Sequence, residues 1–140
     1  MTQLTFVDAG VLIAAARGEN EIALKALEIL QDKNRIFASS IFLKMEVLPK
    51  AIYNQKADEI EFYNEYFNAI SIWATDLDKI LQRGYQEASQ FGLGIMDAFH
   101  IAAVLVKAEE FITNEKLEKS IHRTTSIKII SIYPQSNDIG

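Results

Sequence analysis

Leu4-Thr5-Phe6-Val7-Asp8-Ala9-Gly10-Val11-Leu12-Ile13 decides the fold. Leu4 to Val7 is short, apolar and β-prone. Val11 to Ala16 reads as a short helix, stopped at Arg17-Gly18. A strand followed at once by a helix opens most α/β domains. Asp8 therefore sits at the carboxyl end of the first strand. Open parallel sheets bind their ligands at that edge.

The same alternation runs outward from this stretch. Ile22, Ala23, Ala26, Leu27, Ile29 and Leu30 recur at helical spacing between Asn20 and Asp32. Asp32-Lys33-Asn34 is a turn, and Arg35 to Ala38 is a second strand. Ser39 or Ser40 suits the cap of the next helix, which carries Ile41, Phe42, Met45, Glu46, Val47 and Leu48. Pro49 either bends that helix or begins another. A helix over 56–69 bears an aromatic stripe, Phe62, Tyr63, Tyr66 and Phe67, which suits core packing or a partner face. Ser71 to Ala74 is a third strand. Thr75-Asp76-Leu77-Asp78 has the spacing of a capping box for a helix that runs to about Phe91.

Gly94 to Val106 is apolar nearly all round, the mark of a helix with little solvent-facing surface. Asp97 falls in or just before its first turn. It is either a helix cap or an active-site acid at the end of a buried helix. Glu110 to Thr113 is a fourth strand, a short helix is expected around Lys116 to Ser120, and Ile127 to Ile132 is a fifth strand. The chain reads as an α/β fold: a mainly parallel five-stranded sheet with helices on both faces. Residues 1–133 read as one domain and 134–140 as a polar tail.

Bulk composition narrows the function. The 140 residues are 49% hydrophobic and 24% charged, enough for a real core. No apolar run is long enough to span a bilayer, and the N-terminus lacks the pattern of a signal peptide. No membrane association is expected, and a cytoplasmic setting fits. The absence of cysteine excludes disulfides, thiolate metal sites and cysteine nucleophiles. A net charge of −5 argues against a broad electrostatic grip on nucleic acid. It leaves room for a nuclease, because metal ions held by acids change the local field.

Four acids stand out by place. Asp8 ends the first strand, Glu46 lies on the helix after the second, Asp97 starts the apolar helix, and Glu115 follows the fourth strand. Glu46 and Asp97 have apolar neighbours, where an unpaired charge is costly. A shared divalent cation would remove that cost. Hard oxygen ligands favour magnesium or manganese over structural zinc. His100 follows Asp97 by one helical turn, as a metal partner or a hydrogen-bonded core histidine. His122 has no acidic cluster beside it and is assigned no role.

This arrangement resembles the PIN domain family of metal-dependent nucleases. The resemblance is carried by Val7-Asp8-Ala9-Gly10-Val11-Leu12-Ile13, Lys44-Met45-Glu46-Val47-Leu48, Met96-Asp97-Ala98-Phe99-His100-Ile101-Ala102-Ala103 and Phe111-Ile112-Thr113-Asn114-Glu115. It covers Leu4 to about Ile132. It implies a three-layer α/β/α sandwich and metal-assisted hydrolysis of RNA phosphodiester bonds. Asp8 and Asp97 would be direct magnesium or manganese ligands, with Glu46 and Glu115 ligating directly or through water. Thr113 would orient Asp8 or a water. Many small members are ribonuclease toxins paired with an antitoxin protein, and homodimers are common among them. The last family acid is most often Asp, where this chain has Glu115. Ser or Thr usually follows soon after the first Asp, where this chain has Ala9 and Gly10.

Arg17, Lys44, Lys50 and Lys116 lie near these motifs and either meet phosphates or stand as solvated charges. Two other readings remain open. A magnesium-dependent phosphatase on a Rossmann-like sheet would use Asp8 as nucleophile, but the second Asp such enzymes want two residues later is Gly10. A catalytically weak or inactive domain of the same fold would bind RNA or protein without cutting.

Overall fold

Phe6, Val7, Phe111 and Ile112 have no exposed surface, and their strands lie at the middle of the sheet. Strands covered on both faces read as apolar runs, as these do. The fold is seen in a computed structural model that describes residues 2–18, 20–102 and 108–134. The strands are β1 (Gln3–Val7), β2 (Arg35–Ser40), β3 (Ile72–Ala74), β4 (Glu110–Thr113) and β5 (Lys128–Ser131). The helices are α1 (Ala9–Arg17), α2 (Glu21–Leu30), α3 (Ile41–Tyr53), α4 (Ala57–Ala69), α5 (Leu77–Phe91) and α6 (Ile95–Ile101).

All sheet pairings are parallel, in the order β3-β2-β1-β4-β5. The chain works outward from β1 to β3, then crosses back to β4. Helices α1 to α4 pack together, α5 packs on α6, and α3 also touches α6. The result is a three-layer α/β/α sandwich. The strand order reverses between β1 and β4, so Asp8 and Glu115 leave the sheet at its switch point. That crevice is where open α/β sheets take ligands.

Two buried carboxylates serve the scaffold. Glu110 accepts from Thr5 Oγ1 at 2.6 Å and from Arg35 Nε at 2.7 Å, and so ties β4 to β1 and β2. Glu87 of α5 accepts from Thr124 Oγ1 and Ser126 Oγ, both at 2.6 Å, and from Arg83 Nε at 3.2 Å. It pins the segment before β5 onto α5. Each buried charge has a partner, as its desolvation requires.

The structure differs from the sequence reading at one helix and bears on three positions that the reading left open. No helix forms over Lys116–Ser120. The chain turns there, and a 3₁₀ turn follows at Ser120–Arg123. The reason is burial: Leu117 is exposed, whereas Ile121 plugs the core at 1% exposure. A helix this short needs an apolar face to pack. Pro49 lies inside α3 and does not open a new helix. Ser40 occupies the N-cap position of α3, yet its side chain makes no cap bond. Asp97 is not the cap of α6, because Gly94 holds that position. The expected extension of α6 through Val106 and most of the polar tail fall on 103–107 and 135–140, outside the described residues.

Gly84 sets the approach of α5 to α6. A Cβ there would stand 2.6 Å from the Phe99 ring, and that ring is already stacked on Phe42 with centroids 4.7 Å apart. Gly84→Ala is expected to destabilise the protein by about 1–2 kcal/mol. Overpacking at this contact outweighs the roughly 1 kcal/mol gained in helix propensity. A thermal melt checks it. A melting temperature equal to or above that of the wild type would mean that Phe99 yields freely.

Candidate functional site

Asp8 caps α1, and this follows from its place between a strand and a helix. Its Oδ1 accepts from Val11 N at 3.1 Å, and its Oδ2 accepts from the Thr113 hydroxyl. The same Thr113 oxygen accepts the Glu115 backbone N–H at 3.1 Å. One hydroxyl on β4 thus fixes the carboxylate that ends β1 and the start of the Glu115 loop. Gly10 allows this closeness, because a Cβ there would lie 2.0 Å from Asn114 Oδ1.

Asp8 is 7% exposed. Burial pushes its carboxyl up to about 6. The Thr113 and Val11 hydrogen bonds and the nearby His100 ring pull it down, and Asp97 pushes it up further. Asp97 sits in the first turn of α6 with no cap bond. Its carboxyl is raised by burial, lowered by His100, and raised by the Glu115 and Glu46 carboxylates. Asp97 is therefore within electrostatic reach of each of the other three acids.

They do not form a closed cage. Among the described residues, no group of three or more His, Cys, Asp or Glu side chains is gathered tightly enough to hold a metal ion. The donor set nevertheless suits a hard cation, because it is all oxygen, and burial and neighbouring acids raise the carboxyls of Asp8 and Asp97, a cost that a bound cation would offset. Magnesium keeps several of its waters and takes only one or two carboxylates directly. A loose set of acids fits that habit better than a tight cage would.

The basic residues divide. Arg17 and Lys50 line the narrow cleft that holds Glu46, and Arg17 Nε pairs with Glu59 at 3.3 Å. Lys44 lines a different cavity, of about 440 Å³, and stands 5.9 Å from the Phe67 and Trp73 ring centroids. Lys116 lies 5.2 Å over the Tyr133 ring. The structure adds to this cleft one residue that the sequence reading gave no role in the site. Lys56 joins Arg17 and Lys50 in the Glu46 cleft. Gln55, at φ 54°, precedes Lys56 in the turn between α3 and α4, and nothing in the local sequence signals that geometry. His100 is bonded to Glu46 across α6 and α3. His122, assigned no role above, meets the Glu115 backbone oxygen through Nε2 at 3.1 Å.

Comparison with known proteins bears on both fold and family. A family model described as the PIN domain matches residues 5–119. No curated protein matches the chain by sequence. Among solved structures, VapBC2 of Rickettsia felis bound to a promoter DNA fragment is similar with a TM-score of 0.69 at 14% identity, covering 92% of this chain and 98% of that one. A toxin–antitoxin complex from Klebsiella pneumoniae gives 0.68 at 21% identity, with coverage of 92% and 98%. DNA-bound VapBC of Salmonella typhimurium gives 0.65 at 13% identity, with coverage of 94% and 99%.

Proposed function

This chain belongs to the PIN domain family, and on that premise we propose that it is a magnesium- or manganese-dependent endoribonuclease, the toxin of a toxin–antitoxin pair. The observation that carries the reading is the raised Asp8 carboxyl, coupled to Asp97 and through it to Glu46 and Glu115, at the switch point of the sheet. Burying acids beside one another costs stability, and active sites are where such costs concentrate.

Asp8, Asp97, Glu46 and Glu115 would hold the ion, directly or through water. When bound, it supplies Lewis acidity for hydrolysis and charge to offset the leaving oxygen. The chain's own residues do the positioning. The Val11 N–H and the Thr113 hydroxyl fix both oxygens of Asp8. Arg17, Lys50 and Lys56 border the cleft beside Glu46 and would draw phosphates toward the acids. Residues 1–133 would act as one nuclease domain.

An antitoxin partner and a cytoplasmic setting belong to the same reading, and the similar toxin–antitoxin complexes support the partner. A homodimer is supported by the exposed Leu77, Leu81 and Tyr85, which recur every fourth residue on α5. One observation favours a second reading. The acids are too dispersed for a tight site, which suits a weak or inactive domain that binds RNA or protein.

Incubation of structured RNA with the purified protein separates the two. Internal cleavage with magnesium or manganese, abolished by chelator and restored by adding the metal back, is expected. Intact RNA under all of these conditions would leave the binding module as the better reading. Phosphate release from a small phosphoester without RNA cleavage would point to a phosphatase.

A further inference from the structure

His100 is 1% exposed, yet it lies near Asp8 and Asp97 and is bonded to Glu46. It sits on α6, one turn after Asp97, with its ring 5.8 Å from that of Phe6. Its Nε2 meets Glu46 Oε1 on α3. A carboxylate only accepts, so the imidazole proton is on Nε2 and the ring donates. Nδ1 is buried and has no hydrogen-bond partner among the described residues. Neither nitrogen is then presented to the cleft, so His100 is not placed as a metal ligand.

Glu46 stands differently. It is partly exposed in the middle of α3 and lines the narrow cleft. A free glutamate samples many rotamers, and fixing one is entropically costly. The imidazole is rigid, enclosed and already fixed by packing. One hydrogen bond from it removes most of the freedom of Glu46 and leaves Oε2 available.

We propose that His100 is a positioning residue, which holds Glu46 so that its second oxygen is presented to a cation shared with Asp8, Asp97 and Glu115. This rests on the metal-dependent nuclease reading above. It inverts the more familiar order, in which a carboxylate orients a histidine that binds the metal. It also accounts for a polar ring buried beside Phe6.

The test compares wild type, His100→Leu and His100→Gln by manganese titration calorimetry and by RNA cleavage. Glutamine keeps a donor near the position of the imidazole Nε2, whereas leucine keeps only the bulk. His100→Leu is expected to weaken manganese binding by about 10–100-fold, with cleavage falling in parallel. His100→Gln should recover most of both. Manganese binding by the leucine variant within about twofold of wild type, or equal losses in both variants, would overturn the positioning role. A wild type that neither binds manganese nor cleaves RNA would remove the nuclease reading itself.

If the leucine variant fails to fold, nitrogen NMR of the wild-type imidazole decides. The expected signal is a proton on Nε2 whose shift moves as magnesium is added. A proton on Nδ1, or a signal unmoved at saturating magnesium, would refute the proposal.

Discussion

Asp8→Asn and Asp97→Asn are each expected to lower magnesium-dependent RNA cleavage by about a hundredfold or more. Charge stabilisation by a bound cation contributes several kcal/mol to such reactions, and each 1.4 kcal/mol is a factor of ten in rate. The substitutions remove charge and little else. Asparagine is as good an N-cap as aspartate, so the bond from Val11 N can persist in Asp8→Asn. Asp97 makes no cap bond that its amide would lose. Far-UV circular dichroism should therefore match the wild type in both variants. The measurement is single-turnover cleavage with proteins purified side by side. More than about a tenth of wild-type activity in either variant, less than 1.4 kcal/mol of barrier, would remove that acid from the site.

The amino-acid sequence carries the architecture because strand and helix signals here agree with burial. Leu4 to Val7 and Glu110 to Thr113 are β-prone runs, and both became central strands. Composition misleads where there is no core to face. The charged residues around Lys116 suit a helix by propensity, but only Ile121 has a pocket to fill, so the turn forms there instead. Asp97 was ambiguous for a related reason. An acid in a first turn looks the same in sequence whether its side chain bonds the helix end or faces other acids.

The candidate acids were readable from their places at element ends, whereas the bonds they make were not. Asp8 and Thr113 are 105 residues apart and meet only because β1 and β4 pair in register at Val7 and Ile112. Glu46 and His100 are 54 apart and meet because α3 and α6 touch. No local pattern encodes either contact. The absence of Ser or Thr just after Asp8 reads differently with the strands in place. A hydroxyl reaches Asp8 from β4, and Gly10 leaves room for Asn114.

Without metal, the protein is expected to lose stability as pH rises from about 4 to about 6, and Asp8→Asn should abolish much of that loss. The folded-state carboxyl of Asp8 stands at about 6, against 3.8 for the group in its ordinary state. Between those values the folded chain binds the proton and the unfolded chain has released it. The folded state then binds more protons, so unfolding free energy falls with rising pH. The stabilisation is fully present below 3.8 and is gone above about 6. A difference of about two pH units corresponds to roughly 3 kcal/mol, near 10 °C in melting temperature for a chain of this length. Asp97, also raised by burial and by Glu115 and Glu46, acts in the same direction. In chelator at neutral pH, Asp8→Asn should therefore be the more stable protein, and the gap should close toward pH 4. Saturating manganese should reverse the order. A cation at a hundredfold over its dissociation constant adds about 2.7 kcal/mol to a protein that binds it only when folded, and the asparagine variant should gain little. Thermal melts of both proteins across this range, with chelator and with manganese, give the difference curve. If the two curves run parallel in chelator, or manganese raises both equally, then Asp8 is a helix cap whose charge does not oppose folding, and the four acids are not a cation site.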